Sequence, residues 1–144
     1  MSAPLTLAAI EFIDAARVPV RIACTDAAGW PVLVSLWFLR EGDTLWCATP
    51  ASAQVAAWLA REPRCGFEIS TNEVPYRGVR GRALARVVPE RGRELLGRLA
   101  SRYLGEAPTA FSRWLLSRDE PEVALALTSL RATQWDFSQR MQGR

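Results

Sequence analysis

Two hydroxyls and several free backbone amides converge at Thr49-Pro50-Ala51-Ser52-Ala53-Gln54, where a strand-like stretch gives way to a helix-like one. A helix N-terminus leaves its first N–H groups unpaired and carries the positive end of the helix dipole, so a phosphate group is a natural guest. Thr49 could equally serve only as the helix cap, with Pro50 at the first helical position and Ser52 incidental. A second candidate is Pro75-Tyr76-Arg77-Gly78-Val79-Arg80-Gly81, where Arg77 and Arg80 stand beside glycines. The planar fork of arginine suits a phosphate or a negatively charged reduced ring, whereas Arg82 and Arg86 read as a solvated outer face. The six tryptophans form a third candidate set. Trp37 and Trp135 are the two expected to flank a flat heterocycle, and Trp135-Asp136-Phe137 with Arg140 close behind adds a carboxylate and a cation.

What is missing narrows the chemistry. All 18 basic residues are arginine, there is no histidine, and the formal charge is only +3. Without histidine there is no Ser-His or Cys-His pair, no His-ligated metal and no imidazole base, and without lysine no Schiff base on the protein. Tyr76 is the one side chain in these motifs that could act as a general acid, although packing is the commoner use of such a residue. Cys24, Cys47 and Cys65 are widely spaced and odd in number, so they read as buried hydrophobes in a reducing compartment. A modest charge without a strong basic stripe argues against a nucleic-acid module.

At 144 residues the chain is expected to form a single domain, 1–144, with a packed core. Its longest apolar run, Val32 to Leu39, is far short of the roughly 20 residues of a membrane helix. Met1-Ser2-Ala3-Pro4 lacks a basic segment leading into an apolar one, so a cytoplasmic protein without membrane attachment is expected.

The elements that must position these residues follow from periodicity. Leu7, Ile10 and Ile13 predict an amphipathic helix over about 6–17. Strands are predicted at Val20–Thr25, Val32–Leu39 and Thr44–Ala48, with Asp26-Ala27-Ala28-Gly29 and Glu41-Gly42-Asp43 as turns. Val32–Leu39 is apolar at both parities, so both its faces should be covered, one by the core and the other by a helix or partner chain. A helix from Thr49 to about Arg61, a strand over Cys65–Ser70 and a long strand over Gly78–Val88 follow, the last with glycines that could be bulges. Helices are predicted from Pro89 to Gly105 and over Thr109–Ser117, then closing strands at Glu122–Thr128 and Arg131–Phe137 and a polar tail. The pattern is mainly β with peripheral helices, a mostly antiparallel barrel of about six or more strands.

Together these motifs resemble the pyridoxamine 5'-phosphate oxidase-like family of flavin-binding split β-barrels. The order that carries the resemblance is Gly29-x-Pro31 leading into Trp37-Phe38, the Thr49 turn, Leu59-Ala60-Arg61-Glu62-Pro63-Arg64, Pro75 to Gly81, and Trp135-Asp136-Phe137 with Arg140-Met141. The resemblance implies a six-stranded antiparallel split β-barrel of Greek-key type. It also implies a homodimer with FMN sites at the subunit interface, related branches using the deazaflavin F420 or haem. The phosphate would fall on Thr49, Pro50, Ser52 and Gln54, the ring along Ser35 and Trp37, with Arg77, Arg80, Trp135 and Arg140 contributing. The implied activity is flavin-dependent hydride transfer on a small substrate, with a nicotinamide nucleotide as partner, or else cofactor binding without turnover. Pyridoxamine phosphate oxidation itself is not expected of a chain without histidine. Gln54 and Val55 stand where the family commonly places a cation, so Arg77, Arg80 or a partner-chain arginine would have to supply it.

Overall fold

The computed structural model describes residues 4–142. Helix α1 (Leu7–Ala15) is capped by Thr6, whose hydroxyl accepts from the Ala9 N–H at 3.1 Å, and it buries Ala9 and Ile13. Strands β1 (Val20–Thr25) and β2 (Pro31–Leu36) form a hairpin in which the Asp26 carboxylate accepts from the N–H groups of Ala28 and Trp30, both at 2.9 Å. Gly29, at φ +88°, supplies the left-handed residue of that turn. There follow β3 (Leu39–Glu41), β4 (Thr44–Pro50), α2 (Gln54–Arg61), β5 (Arg64–Ser70), β6 (Arg77–Val88), α3 (Gly92–Leu104), α4 (Ala110–Ser117) and β7 (Glu122–Asp136).

All seven strands form one antiparallel sheet in the order β2-β1-β5-β6-β7-β4-β3. Its edges, β2 and β3, are not hydrogen-bonded to each other, yet only Trp37 and Phe38 separate them in sequence. The three Cα steps from Leu36 to Leu39 span at most about 11 Å, so the sheet must roll until its edges nearly meet. The result is a split barrel closed by covalent chain rather than by a ladder. Its interior holds Ile22, Phe38, Leu45, Ile69, Val79, Leu125 and Leu127, all fully buried.

Three expectations are corrected. The sheet has seven strands rather than the six that the resemblance implies, and the predicted Val32–Leu39 strand breaks after Leu36 to cross between the edges. The Phe38 N–H freed there donates to Tyr103 Oη at 3.3 Å, and the Tyr103 hydroxyl donates to the Val18 carbonyl at 2.9 Å. Among the described residues no helix covers the second face of β2, where Leu33 is 74% exposed, which leaves the expected alternative of a partner chain. The two predicted closing strands are one, β7, bent at Ser129 (φ +53°) close to the register shift between Arg82 and Leu84. That shift, not Gly78 or Gly81, is the bulge. Gly81 serves close packing instead, since a Cβ there would lie 2.1 Å from the Arg131 carbonyl oxygen.

Helix α3 packs outside the barrel on Leu39, Trp46, Val88, Ala124 and Ala126, through Leu95 and Leu99. The Arg91 guanidinium lies 4.4 Å from the Trp46 ring centre and pairs with Glu41 at 2.9 Å, and Arg98 pairs with the same carboxylate. Hydrogen bonds from Arg91, then Arg98, hold the Glu41 pKa down at about 2 against an ordinary 4.5. A carboxyl depressed in the fold adds stability that is present above its ordinary pKa and lost as pH falls towards the folded value. Melting temperatures should therefore fall between pH 4.5 and about 2, and less steeply in Glu41→Gln. Equal slopes in the two proteins would show that solvent screening cancels the effect at this partly exposed site.

Candidate functional site

The turn after β4 is built differently from its sequence signal. Strand β7 extends the ladder to Thr49↔Val123 and Pro50↔Glu122, holding both residues in extended backbone, so Thr49 does not cap the helix. Ala51 N–H donates to the Pro121 carbonyl at 2.8 Å, and α2 begins only at Gln54 behind Ala53, with no side-chain cap. Cross-strand pairing has overridden a local capping preference. Ser52 is exposed, and its hydroxyl donates to Glu120 Oε1 at 2.7 Å.

Buried Thr49 faces a pocket of about 270 Å³ that also gathers Pro50, Ser35 and Trp37. Leu96 and Leu99 of α3 and Phe111 and Leu115 of α4 supply its apolar walls. Helix α4 is fixed there by a capping box between Thr109 and Ser112. Trp37 stacks on Tyr103, centroids 5.0 Å apart and planes 6° from parallel, which holds the indole at the rim. The polar corner is Arg118 and Glu122. Their side chains pair at 2.7 Å, and that of Glu122 is only 2% exposed. Burial pushes the Glu122 pKa up, with the Arg118 charge opposing. Arg118 Nε is buried without a hydrogen-bond partner among the described residues.

Ser35 joins this pocket to a second depression. Arg21 donates to Ser35 Oγ at 2.6 Å, and Arg21 lines an open groove of about 620 Å³ on the outer face of the sheet. One cross-sheet row there runs Ser35, Arg21, Glu68, Arg80, Thr133, and the next begins Leu33, Ala23, Gly66, Arg82. The exposed Leu33 thus stands beside a hollow made by two small residues.

The remaining candidates lie elsewhere. Arg77 stacks over Phe12 at 5.5 Å and shares a groove against α1 with Trp135. Trp135 packs on Phe137 at 5.0 Å, with Arg140 5.2 Å from the same Phe137 ring. Gln54 is exposed at the start of α2, and Tyr76 lies on the loop beyond β5. Ser35, Trp37, Thr49 and Pro50 are therefore brought together, Arg80 is reached through Arg21, and Ser52 flanks the turn. Arg77, Trp135 and Arg140 belong to the α1 end. The three cysteines are buried, with burial pushing Cys47 up to about 12 and Cys65 to about 11. No group of metal-ligating side chains occurs among the described residues, and no helix there is long and apolar enough to cross a membrane.

Arg21, Arg118, Glu120 and Glu122 carry no sequence motif of their own. The dense charge of Arg118-Asp119-Glu120-Pro121-Glu122 before an apolar strand was a visible signal, but only the β4–β7 ladder brings it to Thr49.

No family model matches the sequence, and a search of curated proteins finds no relative. Solved structures do match in shape. The conserved hypothetical protein Rv2991 from Mycobacterium tuberculosis superposes with a TM-score of 0.76 at 22% identity, over 97% of this chain and 90% of that one. An F420 reductase gives 0.64 at 21% identity, over 85% and 92%. The haem storage protein HutZ from Vibrio cholerae gives 0.66 at 16% identity, over 86% and 90%. The fold is that of the pyridoxamine 5'-phosphate oxidase-like split barrels.

Proposed function

We propose that this split barrel binds a flavin-class cofactor, FMN or a deazaflavin, and works as a dimeric oxidoreductase on a small substrate. The observation that carries the reading is the meeting of Ser35 of β2, Trp37 of the link after it, and Thr49 and Pro50 of β4 in one largely apolar pocket with few polar groups. Trp37 and the leucines of α3 suit a flat ring, while Ser35 and Thr49 offer hydroxyls to its polar edge. When bound, the flavin would supply the hydride chemistry, and the chain the binding, orientation and exclusion of water. At about 270 Å³ the pocket is smaller than a typical ligand site, roughly 300 to 1,000 Å³, so it suits part of such a molecule. The rest would extend past Thr49 and Pro50 along the turn towards Ser52, leaving free the groove on the outer face of the sheet.

That groove supports a dimer. Leu33 as a knob beside Ala23 and Gly66 as a hollow is self-complementary under a two-fold axis, and the second copy would cover the face of β2 left bare here. Haem is the weaker guest. The chain has no histidine, its cysteines are buried in the core and the Tyr103 hydroxyl is engaged with Val18, which leaves Tyr76 and Met141 as the exposed side chains of ligating type among the described residues.

Two measurements test the activity. Protein loaded with FMN or the deazaflavin should bleach under a reduced nicotinamide nucleotide, and the colour should return with an electron acceptor; a bound flavin that never cycles would make this a binding protein. Trp37→Leu should weaken riboflavin binding about tenfold by removing an aromatic face. Unchanged affinity in the folded variant would place the ring elsewhere.

A further inference from the structure

Resting on the flavin reading, a contact at the turn decides how the cofactor's phosphate can be held. Ser52 Oγ donates to Glu120 Oε1 at 2.7 Å, and Arg118 Nη1 lies 3.8 Å from Glu120 Oε2. One hydroxyl donor and one guanidinium are the partners a phosphate monoester would choose, and here a carboxylate of the same chain takes both. The backbone holds that arrangement. Ala51 N–H is bonded to the Pro121 carbonyl, and Pro50 pairs with Glu122, so the segment from Arg118 to Glu122 is strapped along the turn. Arg118 nevertheless keeps an unused donor, since its buried Nε has no partner among the described residues. Its Nη2 is committed to Glu122 at 2.7 Å, so Nη1 becomes the donor open to a guest once Glu120 is displaced.

We infer that Glu120 is an internal stand-in for phosphate, and that Arg118 supplies the cation missing at Gln54-Val55. A phosphorylated flavin must displace the Glu120 carboxylate from Ser52 and Arg118 before its own phosphate can bind. The wild-type turn therefore discriminates against the phosphate, while the apolar walls that receive the ring stay as they are. The exchange is non-covalent, and because the Glu120 side chain is 41% exposed, a displaced carboxylate can turn into water. Removing the carboxylate should selectively strengthen binding of ligands that carry a phosphate.

The test compares riboflavin with FMN, which differ by the phosphate, in the full-length wild type, Glu120→Ala, Glu120→Gln and Glu120→Ala/Ser52→Ala, by flavin fluorescence. Glu120→Ala and Glu120→Gln should bind FMN about tenfold tighter than wild type with riboflavin affinity unchanged, a gain expected for one charge-assisted hydrogen bond. Adding Ser52→Ala to Glu120→Ala should remove part of that gain. Riboflavin binding with no gain for FMN in either single variant would overturn the role of Glu120 and leave the ring pocket standing. Failure of every protein to bind either flavin would defeat both readings.

Discussion

Leu33→Arg is expected to turn a dimer into a monomer and to weaken flavin binding at least tenfold. Leu33 is 74% exposed in the single chain and touches little of its core, so the substitution should leave the fold within about 0.5 kcal/mol of wild type. Its effect belongs to association. In a two-fold interface each Leu33 would bury its side chain against the partner, about 1.5 to 3 kcal/mol apiece, so losing both removes about 3 to 6 kcal/mol. That corresponds to roughly two to four decades in the dimer constant. Arginine adds net repulsion, because Arg21, Arg80 and Arg82 outnumber the carboxylate of Glu68 on this face. Sedimentation velocity at micromolar concentration reads the outcome. A Leu33→Arg protein that still sediments as a dimer would remove this face from the interface.

Gly92→Ala should destabilise the protein, against the ordinary preference of helices for alanine. Gly92 opens α3 and lies directly on β7: a Cβ there would come 2.1 Å from the Glu122 carbonyl oxygen, 2.3 Å from its carbon and 2.6 Å from Val123 N. All three are backbone atoms in the sheet and cannot swing aside. Forced overpacking of this kind costs about 1 to 3 kcal/mol or more, outweighing the gain of about 1 kcal/mol from helix propensity. The same helix provides a control. At Gly97 a Cβ would meet nothing within 4 Å, so Gly97→Ala should stabilise by about 0.5 to 1 kcal/mol. Opposite shifts in melting temperature, about 2 to 4 °C per kcal/mol, are the expected result. Because the strain at Gly92 falls on Glu122, Gly92→Ala should also weaken flavin binding, whereas Gly97→Ala should not. Stabilisation by both substitutions would show that α3 is not seated on β7 in this way.

Much of the barrel was legible because its signals are local. The Asp26–Gly29 turn, the exposed Arg82 and Arg86 of β6, and the Thr109 start of α4 all follow from periodicity and turn chemistry. What was hidden depends on residues distant in sequence. Thr49-Pro50 reads as a helix start until β7 pairs with it, and Val32–Leu39 reads as one strand until two sheet edges must be joined through Trp37-Phe38. The site follows the same rule. Ser35, Trp37 and Thr49 lie in motifs that could be seen, but the Arg118–Glu122 segment reaches them only through the β4–β7 ladder, and Arg77 and Trp135 are drawn off to α1 by Phe12 and Phe137. An arginine-rich motif states that charge is available, not which pocket receives it.

Equilibrium titration of the purified full-length protein with FMN, the deazaflavin and haem, followed by ligand absorbance and tryptophan fluorescence, tests the central claim most directly. A flavin or deazaflavin that saturates at one per chain, with binding weakened by Trp37→Leu, is the predicted result. Haem binding alone, or flavin binding indifferent to Trp37, would contradict it.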